Sequence, residues 1–128
     1  MKGVYEFEVS GRKVGFKFGT YALSEACEKD GCSVDVLLRR CGIPYVEDGV
    51  VKNDKINLKS FLHLFWGAAM HYAEDSGLEK DFKVSTVSNW LDEIGVEKLN
   101  DMMANGLTQY VPKNLTSPMT EMGDPVTQ

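Results

Sequence analysis

Histidine, cysteine and proline are scarce in this 128-residue chain, at two, three and four copies. The two histidines, His63 and His71, stand eight positions apart, about 12 Å along a helix. That is too far to share one zinc, whose ligands each lie near 2 Å from the ion. Neither sits in an HExxH spacing, and no regular D-x-[DN]-x-[DN]-G calcium loop occurs. Cys27, Cys32 and Cys41 are spaced C-x4-C and C-x8-C, which fits neither a CxxC redox pair nor a zinc ribbon, so free thiols are expected. Gly11, Gly15 and Gly19 are four apart and lie in or beside paired strands rather than between a strand and a helix, so they form no phosphate loop. The reading is therefore no catalytic group, no metal and no cofactor.

Clustered positive charge is missing too. Adjacent basic residues occur only as Arg12-Lys13 and Arg39-Arg40, and the formal net charge is -5. A duplex-binding footprint needs grouped Lys or Arg, so no nucleic acid is expected. No apolar run approaches the roughly 18 residues that span a bilayer. The opening MKGVYEFEV alternates, whereas a secretory signal needs an unbroken apolar core. No membrane association is expected.

What the chain does contain is an ordinary globular share of apolar residues, 43%, with 26% charged. This predicts one α+β domain over 1–111, followed by a flexible polar tail over 112–128 that carries three of the four prolines. The domain is organised around LKSFLHLFWGAAMHYAEDS, 58–76. At helical spacing Leu58, Phe61, Leu62, Phe65, Ala69, Tyr72 and Ala73 share one face, and Leu64, Trp66, Ala68 and Met70 extend it to both flanks. Ser60, His63, Gly67, His71 and Glu74 remain as a narrow polar strip, where the histidines read as satisfied or solvent-facing. Gly67 costs about 1 kcal/mol of helix propensity relative to alanine. A close helix crossing is the favoured return, a recognition groove the alternative.

The remaining elements follow from period and punctuation. VYEFEV (4–9) and VGFKF (14–18) alternate around Ser10-Gly11 and predict a hairpin whose aromatic face needs helices, or another subunit's strands, to cover it. Thr20, Ser33, Asn57 and Ser85 are candidate N-caps of four helices, and Gly31, Gly42, Gly77 and Gly95 stop them. A fifth helical segment runs from Val96 to about Gln109, weakened at Asn105-Gly106. The stretch from Pro44 to Asn57 reads as a connection with strand-like character at Tyr45-Val46 or Val50-Val51. Asp30, beside a turn, reads as solvated. The architecture predicted is an N-terminal β-hairpin packed on a compact bundle of four to five helices.

This order of segments, with FGTYALSEACE over 18–28 and VSNWLDE over 87–93, resembles the tail assembly chaperones of long-tailed bacteriophages. The resemblance implies a small, acidic, mainly helical protein without enzymatic activity. It implies as partners a tape measure protein, which such chaperones hold, and tail tube subunits, which they help recruit. It further implies the host cytoplasm as location, absence from the mature virion, and self-association along a long client. A frameshifted longer form would join at 112–128. On this footing Tyr21, Trp66, Met70 and Tyr72 are expected to border a client or self-association surface, with Met119 and Met122 as weaker anchors. Two other classes stand beside it: an interaction adaptor of another phage or bacterial system, and a small metal-dependent hydrolase, which would need the histidines and carboxylates to converge.

Overall fold

A computed structural model of the chain describes residues 3–111. The expectations for 112–128, including Met119 and Met122, lie outside the described residues. Strands β1 (Val4–Val9) and β2 (Arg12–Lys17) pair antiparallel, with Val9 opposite Arg12 and Val4 opposite Lys17. Their two-residue loop holds Ser10 at φ 52° and Gly11 at φ 77°. Two successive positive φ values make a type I′ turn, whose twist matches that of the flanking strands. The loop is pinned to the body, because Ser10 donates from its backbone N–H and its hydroxyl to the Glu93 carboxylate, each at 3.1 Å.

Helix α1 (Thr20–Asp30) begins one residue before the sequence suggests. Gly19, rather than Thr20, is its N-cap, and no side chain caps it. The His71 ring lies so close that a Cβ on Gly19 would stand 2.8 Å from it, so the chain enters the helix through a residue without one. Helix α2 (Val34–Arg40) is capped by Ser33, whose Oγ accepts from Val36 N–H. Asn57 caps α3 (Leu58–Ser76) by accepting from the N–H groups of Lys59 and Ser60 at 3.0 and 3.2 Å. Helix α4 (Val84–Ile94) also starts earlier than expected. Lys83 is its N-cap in place of Ser85, and Thr86 Oγ1 reaches back to accept from the Lys83 N–H.

After Gly95, helix α5 (Val96–Asp101) passes into a π-helical turn, Met102–Gly106, and a 3-10 turn, Leu107–Tyr110. A Cβ on Gly106 would stand 3.0 Å from the rings of Phe18 and Tyr5. The glycine that weakens the helix is thus also the residue that lets it close over the first hairpin.

Helix α3 is the centre of the core. Phe65 meets Phe16 and Phe18 edge-to-face, with ring centroids 5.6 and 5.3 Å apart, a geometry that adds to simple burial. On the opposite side Gly67 faces α1. A Cβ there would collide with the Ala22 carbonyl oxygen and stand 3.1 Å from the Ala26 nitrogen, so the close crossing expected of this glycine is present. Of the strip that reads as polar, Glu74 is exposed and His71 half-buried, but the N-terminal part does not face water. Ser60, His63 and Gly67 are buried.

The 44–57 connection forms a second hairpin from β3 (Tyr45–Glu47) and β4 (Val50–Lys52), with Val46 opposite Val51. It too turns through positive φ, 53° at Asp48 and 76° at Gly49. Unlike the first, it leaves its valines exposed. Among the described residues no helix is long and apolar enough to cross a membrane.

Candidate functional site

An open cleft of about 310 Å³ lies between β2, the C-terminal half of α3, the 77–83 loop and α4. Val14, Ala69 and Ala73 form its floor, and Phe82 and Trp90 one wall, their ring centroids 5.0 Å apart. Two small residues on α3 where larger ones occupy the core make room for this hollow. The loop that closes it begins at Gly77, in the left-handed conformation at φ 68°, where the Leu78 N–H bonds the Ala73 carbonyl at 2.9 Å. That wrapping contact ends the helix and turns the chain back over its own last turns.

Gly15 is the point of closest approach. The Tyr72 ring lies against the strand so tightly that a Cβ on Gly15 would stand 2.6 Å from its carbons. The Tyr72 hydroxyl donates to Glu6 at 2.7 Å, and Glu6 is the residue opposite Gly15 in the hairpin. Burial, reinforced by this acceptor, raises the Tyr72 hydroxyl above its ordinary pKa. At the rim, the Arg12 guanidinium lies 5.3 Å from the Trp90 centroid and 5.8 Å from that of Phe82, and it donates to Asp81 at 2.9 Å. That bond holds the Asp81 carboxyl below its usual range. The ion pair is exposed and so contributes little stability. Its effect is to orient the guanidinium over the aromatic wall.

The four residues singled out from sequence do not form one exposed surface. Tyr72, 4% exposed, lines the cleft as part of its buried wall. Trp66, expected on an outer flank, is 9% exposed, with the Lys29 ammonium of α1 4.6 Å from its ring centroid and the 77–83 loop at its indole edge. Its indole N–H donates to the Phe82 carbonyl at 3.4 Å, so it supports the cleft wall from behind. Met70 is half-buried against the core. Tyr21 is half-buried and its ring lies against His71, tilted by 47° with centroids 5.3 Å apart. Neither lines the cleft.

A second polar centre escaped the sequence reading. Asp30, expected in solvent, has a side chain only 5% exposed. It accepts from Arg40 Nη1 at 2.8 Å, from the Ser60 hydroxyl, whose Oγ lies 3.0 and 3.1 Å from its two oxygens, from His63 Nδ1 at 2.6 Å, and from Cys32 Sγ at 3.2 Å. Burial alone would raise its carboxyl, but the hydrogen bonds from Cys32, His63, Arg40 and Ser60 outweigh it and hold the group at about 2. Burial also pushes the thiols up, Cys32 to about 11 with help from Asp30, and Cys41 to about 12. Such thiols stay protonated and are poor nucleophiles. The centre ties α1, α2 and α3 together. A signal for it existed in the i, i+3 spacing of Ser60 and His63, yet nothing in sequence placed Asp30 opposite them.

His71 is the exception to this satisfaction. Its Nδ1 is buried without a hydrogen-bond partner among the described residues, and burial lowers its pKa. No group of three or more His, Cys, Asp or Glu side chains among the described residues is arranged to hold a metal ion. The cleft offers an apolar floor, aromatic walls and a charged rim, which suits it to hold an apolar side chain. No protein-family model, no curated protein and no solved structure matches this chain.

Proposed function

We propose that the protein is a non-enzymatic phage tail assembly chaperone that holds a tape measure protein and helps recruit tail tube subunits in the host cytoplasm, without remaining in the virion. The observation that carries the reading is the cleft of about 310 Å³ with its apolar floor and aromatic wall. An amphipathic helix binds such a hollow by seating one large apolar side chain, while the charged rim contacts its polar flanks. The resemblance of 18–28 and 87–93 to the chaperone family points the same way, and Trp90 of the second stretch is itself part of the wall.

Co-expression with a phage tape measure protein, followed by size-exclusion chromatography with light scattering, tests this. A soluble complex containing several copies of this chain is expected. Leu78→Glu, at an exposed rim position, should weaken the complex at least about tenfold while leaving the fold intact. A client that elutes apart from the wild-type chain overturns the chaperone reading. A complex unaffected by Leu78→Glu moves the binding site out of the cleft.

A further inference from the structure

The charges around the cleft are not balanced. Four ionised side chains line it, Arg12 and Lys13 from β2 and Glu79 and Asp81 from the 77–83 loop. Both cations are already engaged. Arg12 donates to Asp81 at 2.9 Å, while Lys13 lies 3.9 Å from Glu6 and stands opposite Glu8 in the hairpin. Glu79 is different. It is exposed and has no cation within ion-pair distance among the described residues.

The neighbouring elements add to the excess. At the hairpin tip the Glu93 carboxylate meets the neutral Ser10, through both its backbone N–H and its hydroxyl. Nearby cations do not offset this, because Lys80 is held by Glu74 and Lys17 by Asp75, and Lys83 does not line the cleft. Arg12 and Lys13 thus stand among Glu6, Glu8, Glu79, Asp81 and Glu93. The rim is acidic.

That sign discriminates between partners. A carboxylate brought to the cleft would have to displace Asp81 from Arg12 and enter beside Glu79, whereas an ammonium or guanidinium finds Glu79 open. Each exposed contact contributes only about 0–1 kcal/mol. Affinity therefore comes from the apolar floor, and the summed charge of the rim supplies selectivity and faster encounter.

We propose that the occupant of the cleft is a basic amphipathic helix, which seats one large apolar side chain on Val14, Ala69 and Ala73 and lays a Lys or Arg against Glu79. Residues three or four apart on a helix have Cβ atoms about 5–6 Å from each other. One face of the partner thus delivers the anchor to the floor and the cation to the rim together. The inference rests on the reading of the cleft as a client site and adds the charge of the client segment.

Fluorescence anisotropy with the full chain and three synthetic amphipathic helices tests the charge apart from any natural client. The helices share one phenylalanine anchor and carry lysine, glutamine or glutamate one turn away on the same face. The lysine helix should bind at least about tenfold tighter than the glutamate helix, and lose at least about tenfold when its anchor becomes alanine. Raising the salt from about 50 to 300 mM should weaken the lysine helix several-fold and leave the glutamine helix nearly unchanged. In the protein, Leu78→Lys and Leu78→Glu remove the same rim side chain and differ in the charge they bring. Leu78→Lys should therefore weaken the lysine helix several-fold more than Leu78→Glu. Glu79→Gln should weaken it about threefold, whereas Glu28→Gln, exposed on α1 and outside the cleft, should not. Equal binding of the lysine and glutamate helices, a preference for glutamate, binding that ignores the anchor, or no binding of any of the three overturns the proposal. The chaperone reading fails on a different result, a tape measure protein that elutes apart from the chain, so the two failures are told apart.

Discussion

The two hairpins share a plan and differ in everything around it. Each turns through two residues of positive φ, Ser10-Gly11 in one and Asp48-Gly49 in the other, and each is a single antiparallel pair. The first has its aromatic face pressed on Phe65, its glycine under Tyr72 and its loop bonded to Glu93. The second has Arg39 on one ring and valines in solvent. Turn chemistry sets the shape of a hairpin, while its stability comes from what packs on it. The same local rule therefore gives a structural element in one place and an exposed ribbon in the other.

Substitution can break this contrast most sharply at the seated hairpin. Phe16→Ala removes a fully buried ring and should lower the free energy of unfolding by about 3–5 kcal/mol in urea titrations. The loss combines transfer free energy with the cavity left against Phe65. Gly15→Ala sets a methyl group against the Tyr72 ring and should cost about 2 kcal/mol by overpacking. Adding Tyr72→Leu should recover part of that loss, a coupling that a double-mutant cycle measures.

The acid response is expected to come from the helical body, where Asp30 joins α1, α2 and α3, rather than from either hairpin. The Asp30 carboxyl is held at about 2 in the folded chain, below its unfolded value near 3.9. Its contribution, of order 2 kcal/mol, is therefore complete above about pH 4 and is lost as the pH falls through about 2. In Asp30→Asn this part of the acid dependence should vanish, while the neutral-pH stability drops because Arg40 and His63 lose their charged acceptor. A stability profile of Asp30→Asn that still falls as steeply as wild type below pH 4 would remove Asp30 from that role.

Smaller effects sharpen the comparison at the turns and the ribbon. Ser10→Ala removes the hydroxyl bond to Glu93 and should cost about 1 kcal/mol. Val50→Thr, at the exposed ribbon, should stay within about 0.5 kcal/mol of wild type. Hydrogen exchange should agree, with β1–β2 amides protected near the global limit and β3–β4 amides exchanging through local opening. Equal protection in the two hairpins at low protein concentration would contradict the description of the second as uncovered.

Much of the fold was legible because it depends on short-range rules. Period two over 4–9 and 14–18, period 3.6 over 58–76, Ser33 and Asn57 as caps, and Gly31, Gly77 and Gly95 as stops all act within a turn or two of chain. The caps of α1 and α4 were misplaced by one or two residues, since His71 against Gly19 and the Thr86 back-bond depend on packing and rotamer. The outward reading of Trp66 failed for a related reason. Helical periodicity reports which residues share a face, but the loop that covers a face comes from elsewhere, here from Phe82 sixteen positions on.

The sequence by itself determined an α+β domain with an aromatic hairpin on a central apolar helix, and it determined that the spacing of histidines and cysteines suits neither a zinc site nor a thiol redox pair. Only the tertiary structure decided which polar residues are buried, which aromatics wall a cleft and which hairpin is left bare. Periodicity and capping are encoded in neighbours along the chain. The Ser60 and His63 partners of Asp30, the ring over Gly15 and the cover of Trp66 come from segments about 15 to 60 residues away, brought together by the joint packing of all the elements.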